Sequence, residues 1–291
     1  MPLSTTLTDS ICKYPQYRDH VTHREEVPGV LAQFTEPDPP LEDRVEQYCR
    51  KNNLHLYTHQ AAARTAVHEG RDVMLATPTA SGKTLAYLIP ILEGLCTDPA
   101  ACSLLLFPTK ALTRDQLITA TTIADPIVPD AKPAVYDGDT PKSRRKEIRD
   151  SSRMILSNLH ELHHILSWHS LWQRFWRNLR YVVIDEAHRY RGVAGSHAAL
   201  LFRRLLRVAS FYGSYPRIIL ASATIGNPAS FARALTGRDV SVIRSSGAPA
   251  GPRSFLFYNP YSSPEQKDTT YRAEASLMKY CVAQDLQTLA F

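Results

Sequence analysis

Four apolar residues, Val73-Met74-Leu75-Ala76, lead through Thr77-Pro78-Thr79-Ala80-Ser81-Gly82-Lys83-Thr84 into the amphipathic stretch Leu85 to Leu95. A strand, a glycine-bearing loop and a helix in that order make a phosphate cradle, because the turn aims backbone N–H groups and the positive helix end at one point. Gly82 permits close backbone approach, Lys83 is long enough to reach the β- and γ-phosphates, and the Thr84 hydroxyl is a magnesium ligand. Thr77 stands where the strict pattern has its first glycine. A Gly-Lys-Thr tripeptide recurs in unrelated loops, so it is the buried strand before it and the helix after it that make this a nucleotide site.

The remaining chain repeats the alternation. Strand-length apolar runs occur at Ser103 to Phe107, Ala134 to Tyr136, Met154 to Leu156, Tyr181 to Ile184 and Ile218 to Ala221, with shorter ones at Val240 to Ile243 and Phe255 to Tyr258. Helix-length segments run from Tyr57 to Glu69, Lys83 to Leu95, Leu112 to Ala124, Lys142 to Arg149, Ser196 to Phe211, Pro228 to Leu235 and Tyr271 to Asp285. Continuous hydrophobic strands separated by helices predict an α/β fold, a mostly parallel sheet sandwiched by helices. Residues 1 to 40 read as irregular and end in the proline-rich Glu36-Pro37-Asp38-Pro39-Pro40, a boundary loop. The expected organisation is an N-terminal extension over 1–50, a nucleotide-binding domain over 51–260, and a linker helix over 261–291. Gln287 to Phe291 reads as a new strand cut short, as in a piece of a longer protein.

Asp185 and Glu186 follow directly on the apolar run Tyr181 to Ile184, at the strand end where ligands collect in open α/β sheets. An aspartate there holds magnesium through its water shell, and the neighbouring glutamate orients and deprotonates an attacking water. Asp185-Glu186-Ala187-His188 resembles the DEAH form of the Walker B motif of superfamily 2 helicases, and further segments occur in that family's order. Pro108-Thr109-Lys110-Ala111-Leu112 resembles motif Ia, Gly138-Asp139-Thr140 the region of motif Ib, and Ser222-Ala223-Thr224 motif III, which links hydrolysis to movement. Tyr57-Thr58-His59-Gln60 resembles the Q motif, which implies that Gln60 reads the adenine edge; no aromatic partner for the base can be named. The stretches Tyr136 to Pro141 and Tyr190 to His197 are similar to those of the Lhr-like and mitomycin-repair-factor DNA helicases.

The resemblance implies a RecA-like P-loop domain that binds ATP and magnesium, with Lys83, Asp185, Glu186 and His188 catalytic. A DNA strand would lie against Thr109, Lys110, Gly138, Thr140 and Asn158, and a second RecA-like lobe with arginine fingers would complete a 3′-to-5′ motor. Asn158-Leu159-His160-Glu161 stands where relatives carry an Asn-Pro-Asp type sequence, which weakens the expectation of strand contact there. A net charge of +6 over 291 residues agrees with a polyanionic partner without specifying one. Arg144 to Arg149 reads as a solvated helix face, and Trp168, Trp172, Phe175 and Trp176 as packing residues. His160, His163, His164 and His169 lack cysteine or carboxylate partners at ligand spacing.

Five scattered cysteines without a C-x-x-C pair suit a reducing compartment, and no segment has the length and apolarity of a membrane span. A soluble protein of the cytoplasm, nucleoid or nucleus is expected. Two rivals remain at this level. One is a non-catalytic nucleic-acid-binding or regulatory module with a retained ATP site. The other is a P-loop enzyme of another class, such as a GTPase, for which the Asn-Lys-x-Asp guanine-reading motif is missing.

Overall fold

The computed structural model describes residues 3–262 and 269–290. Its strands are β1 Val21–Val27, β2 Val73–Ala76, β3 Cys102–Phe107, β4 Ala134–Val135, β5 Met154–Asn158, β6 Leu179–Ile184, β7 Arg217–Ser222, β8 Ser241–Ile243 and β9 Arg253–Tyr258. Its α-helices are α1 Leu3–Lys13, α2 Asp43–Lys51, α3 Thr58–His68, α4 Lys83–Thr97, α5 Lys110–Ala124, α6 Lys142–Ser151, α7 Leu159–Ser167, α8 Gln173–Asn178, α9 Gly192–Phe211, α10 Pro228–Thr236 and α11 Thr270–Val282. By internal packing the chain forms two units, residues 32–248 and residues 1–31 with 249–291.

The larger unit is a seven-stranded sheet in the order β4-β5-β3-β6-β7-β2-β8, every pair parallel. Side chains alternate between its two faces, and each face buries its own apolar cluster. Val73, Leu75, Leu105, Val183 and Ile219 pack with α3 and α4 through residues such as Ala63, Ile91 and Leu92. Met74, Leu104, Leu106, Val182, Ile184 and Leu220 pack on the opposite face with Leu162, Trp176 and Phe202. Burial on both faces explains why the strands read as unbroken hydrophobic runs, each large side chain contributing about 1.5–3 kcal/mol. Among the described residues no helix is long and apolar enough to cross a membrane.

A buried ionic cluster ties the front of this unit together. Glu93 on α4 accepts from Arg64 Nε at 2.9 Å, His68 Nε2 at 2.9 Å and the Glu42 backbone N–H at 3.0 Å. Arg64, on α3, also donates to the Pro39 and Pro40 carbonyls. The helix carrying the phosphate loop is thereby fixed to the helix carrying Gln60.

The smaller unit pairs β1 with β9 antiparallel, from Val21 opposite Tyr258 to Val27 opposite Arg253. Tyr17 and Tyr280, on α11, meet edge to face at 5.5 Å. The N-terminal region is therefore not irregular. It holds α1 and β1, and α2 starts before residue 50. β1, with the sequence Val-Thr-His-Arg-Glu-Glu-Val, lacks an apolar run because it belongs to a two-stranded ribbon and most of its residues stay in solvent. At the other end, Gln287 to Ala290 form no strand, since no described strand pairs with them, and Phe291 and residues 263–268 lie outside the described residues.

Candidate functional site

The sheet order sorts the predicted residues into two groups. β6, β7 and β2 are neighbours, so the loops leaving their carboxyl ends converge: Asp185 to His188 after β6, Ser222 to Thr224 at the end of β7, and Thr77 to Thr84 after β2. β4, β5 and β3 are the adjoining neighbours, and their ends carry Gly138 and Thr140, Asn158, and Thr109 with Lys110. One half of the sheet thus gathers the nucleotide candidates and the other half the strand-binding candidates.

In the phosphate loop, Ala80 and Gly82 take positive φ values of 58° and 78°. The turn is closed by a 2.7 Å hydrogen bond between the Thr77 and Ser81 hydroxyls, both buried. The left-handed backbone at Gly82 favours glycine, and a Cβ there would also press on Gln60 Nε2 at 2.8 Å. Gln60 Nε2 donates to the Gly82 carbonyl at 3.0 Å, and its Oε1 accepts the Tyr57 N–H at 2.9 Å. The Lys83 ammonium donates to the carbonyls of Pro78 (2.8 Å) and Thr77 (3.2 Å). Burial draws that ammonium below its ordinary value, against the pull of the Glu186 and Asp185 carboxylates.

Aromatic residues that sequence reasoning did not assign flank Gln60. Phe34 stacks on Tyr57 at 5.2 Å and 19°, and Tyr57 in turn stacks on His59 at 5.9 Å and 12°. Phe34 is 55% exposed, and His55 meets its ring edge to face at 5.7 Å. The signal was hidden because Phe34 reaches this place through an isolated bridge to Tyr57, a contact between chain segments that no local pattern announces.

Asp185 is buried, and its carboxyl is pushed up to about 6, chiefly by burial and further by Glu186, while the Glu186 N–H, Tyr87 hydroxyl and Lys83 oppose the rise. Its Oδ1 accepts the Glu186 N–H at 2.8 Å and its Oδ2 the Tyr87 hydroxyl at 3.3 Å. Tyr87 also reaches Gln116 Oε1, the atom to which the Thr84 hydroxyl donates at 3.3 Å. Tyr87 and Gln116 are thus missed members of the site, linking the two expected magnesium ligands. The Thr84 hydroxyl and the buried Asp185 carboxylate, joined through Gln116 and Tyr87, are hard oxygen donors of the kind magnesium takes.

His188 joins two motifs. Its Nδ1 accepts the Ala223 N–H at 3.3 Å and lies 3.3 Å from the Ser222 hydroxyl. A backbone N–H only donates, so the ring proton sits on Nε2, which faces Glu186 Oε2 at 3.3 Å. Glu186 itself has φ 48°, a left-handed conformation rare for its residue type and a recurrent mark of functional loops. Thr224 is exposed beyond this link.

Across the sheet, Thr109 caps α5 by accepting the Leu112 N–H, and Lys110 is paired with Asp139 at 2.7 Å. Asp139 also holds Arg114 at 2.8 Å. The Asn158 side-chain carbonyl caps α7 through the Glu161 N–H at 3.0 Å, and the Thr140 hydroxyl accepts the Asp137 N–H at 2.9 Å. Both side chains are engaged in their own turns, while Gly138 is exposed. Arg145, in the run read as a solvated face, donates instead to the Asp137 and Thr140 carbonyls and pins the Gly138 turn.

The DEAD/DEAH box helicase family model matches residues 57–231. An uncharacterized ATP-dependent helicase, YprA of Bacillus subtilis, is 40% identical over 263 residues, 88% of this chain and 35% of that protein. The ATP-dependent helicase HRQ1 of Saccharomyces cerevisiae is 34% identical over 285 residues, 94% of this chain and 26% of its own length. The crystal structure of the DUF1998 helicase MrfA bound to DNA and AMPPNP superposes with a TM-score of 0.89 at 36% identity, covering 96% of this chain and 39% of that one. Mycobacterium smegmatis Lhr, at 24% identity and a TM-score of 0.62 over 72% of this chain and 28% of that one, shares the fold. The chain spans about a quarter to a third of the length of the curated relatives named here.

Proposed function

The chain belongs to the DEAD/DEAH box helicase family, and from that membership we propose that it is the ATP-handling lobe of a motor that moves on a DNA strand. The observation that carries the reading is the chain Glu186, His188, Ser222 and Ala223, which joins the water-activating carboxylate to the loop expected to transmit movement. In this reading Lys83 and the N–H groups of the loop hold the β- and γ-phosphates, and Gln60 reads the adenine edge beside the Tyr57 and Phe34 rings. Thr84 and Asp185 would hold a magnesium ion, which when bound would supply positive charge at the phosphates. Glu186 orients the attacking water and accepts its proton. A shift of Glu186 is felt by His188 and passed to Ser222.

The DNA preference is supported by the DNA-bound MrfA structures. Thr109, Lys110, Gly138, Thr140 and Asn158 would hold the strand through backbone amides and small polar groups, so affinity should fall with salt and depend little on sequence. The greater length of the relatives supports a second lobe in a longer protein, with residues 51–260 as the first lobe, 1–50 as an extension and 261–291 as the linker. By family resemblance, movement runs 3′ to 5′, in the cytoplasm, nucleoid or nucleus where DNA is kept.

The isolated chain is expected to bind ATP, hydrolyse it slowly and leave duplexes intact, because the transition-state arginines belong to the second lobe. Nucleotide binding and turnover measured for Lys83→Ala and Glu186→Gln test this. Lys83→Ala should lose binding, and Glu186→Gln should bind without turnover. Unchanged turnover in both variants would overturn the reading in favour of a non-catalytic module.

A further inference from the structure

Helices α6 and α7 enclose a cavity of about 370 Å³ that none of the nucleotide chemistry uses. On α7, His160 and His164 stand one turn apart on one line, and Trp168, the residue that caps the helix, follows four residues on. The two histidine rings meet edge to face at 5.0 Å. On α6, Arg145 and Arg149 line the facing wall at the same spacing. Arg145 is already satisfied by Glu161 at 3.1 Å and lies over the Tyr136 ring at 4.9 Å, whereas Arg149 has no ion pair among the described residues. The wall is therefore cationic, and its floor is aromatic.

Trp168 sets this groove apart from an ordinary helix-packing crease. Trp172 and Trp176 are buried at 3% and 0%, as core indoles should be, but Trp168 stands 65% exposed. A large apolar ring left in water beside cationic groups is what stacks a nucleobase while a neighbouring charge meets its phosphate. The volume lies within the range of small-ligand pockets. At the other end the groove opens at Gly138, the exposed turn after β4, and His160 follows Asn158 at the end of β5 by two residues. A strand held at those two loops is thus led into the groove.

We propose that this groove is a base-binding pocket, which takes an unstacked nucleobase of single-stranded nucleic acid onto Trp168, with its phosphate against Arg149. The inference rests on the strand-binding reading above and adds to it a contact with the bases.

The whole chain is titrated with an end-labelled oligothymidylate and with an abasic oligonucleotide of equal length, anisotropy reporting binding and tryptophan emission reporting stacking. Oligothymidylate should quench the emission, since only Trp168 of the three tryptophans is exposed, and the abasic strand should bind without quenching. Trp168→Ala should abolish the quenching and weaken oligothymidylate binding about tenfold. Trp168→Phe, which keeps an aromatic face for the base, should keep most of the affinity for oligothymidylate that Trp168→Ala loses, while both variants bind the abasic strand as the parent does. Binding by Trp168→Ala as tight as the parent's, or equal quenching by the abasic strand, overturns the pocket and leaves the motor reading intact. Absence of strand binding by the parent chain overturns both.

Discussion

The Arg64 and Glu93 pair allows a quantitative test of how the phosphate-loop helix is held. Both side chains are almost fully buried, and together they engage His68, the Glu42 N–H and the Pro39 and Pro40 carbonyls. Replacing Glu93 by Met keeps the volume but strands the guanidinium, and removing one member of such a pair costs about 3–5 kcal/mol. Arg64→Met should cost a similar amount. The double variant leaves neither charge behind and should cost no more than the worse single, so the coupling between the two sites is about 3 kcal/mol. Urea unfolding followed by tryptophan emission suits the measurement, because all three tryptophans lie in the larger unit. Burial raises the Glu93 carboxyl, but Arg64, His68 and the Glu42 N–H lower it by more, so it lies below its ordinary 4.5. A depressed carboxylate stabilises the fold above the unfolded-state value and loses that effect as pH falls through the folded-state value. The deficit of Glu93→Met should therefore be full at pH 7 and shrink below about 4.5. Additive single-variant losses, or a deficit that does not change with pH, would refute the electrostatic account.

Two further predictions concern other parts of the molecule. Asp139 occupies Lys110 and Arg114 at the place proposed to hold the strand. These exposed pairs add little stability, so Asp139→Asn should leave the melting temperature unchanged. It should tighten single-strand binding and steepen its log–log salt slope by up to about 1.4, for two freed cations; an unchanged or shallower slope counts against it. At the start of α9, a Cβ on Gly195 would lie 2.5 Å from the Tyr190 carbonyl oxygen and 2.8 Å from its carbon, backbone atoms that yield poorly. Gly195→Ala should destabilise by about 1–3 kcal/mol, whereas Gly226→Ala, with nothing within 4 Å, should not. Equal melting temperatures for the two variants would contradict this.

What could be read from the sequence was whatever is local. The unbroken apolar runs became β2, β3, β5, β6 and β7 because a strand covered on both faces has no polar side to show. Asp185 and Glu186 stood out because they follow directly on such a run, and Lys83 and Thr84 because they close the short glycine-bearing loop that follows another. What stayed hidden depends on distant parts of the chain. β1 is held by β9, more than 220 residues further along. Phe34 joins the pile beside Gln60 across a single bridge, and Arg64 and Glu93 are polar residues on helices where only their partners make burial tolerable. Tyr87 and Gln116 sit on ordinary-looking helices and enter the site only through their hydrogen bonds. His188 carried a family letter, but its tautomer and bridging role needed coordinates.

The order β4-β5-β3-β6-β7-β2-β8 has a practical consequence for protein engineering. The seam between β3 and β6 separates two sets of loops that share one parallel platform and leave it at the carboxyl ends of different strands. If the proposed assignments hold, grafting the turns that follow β3, β4 and β5 from another family member should alter strand binding and leave nucleotide binding unchanged, and the reverse graft, behind β2, β6 and β7, should do the opposite. The seam is the natural cut line for chimaeras, since a swap on either side leaves the other side's strands in register.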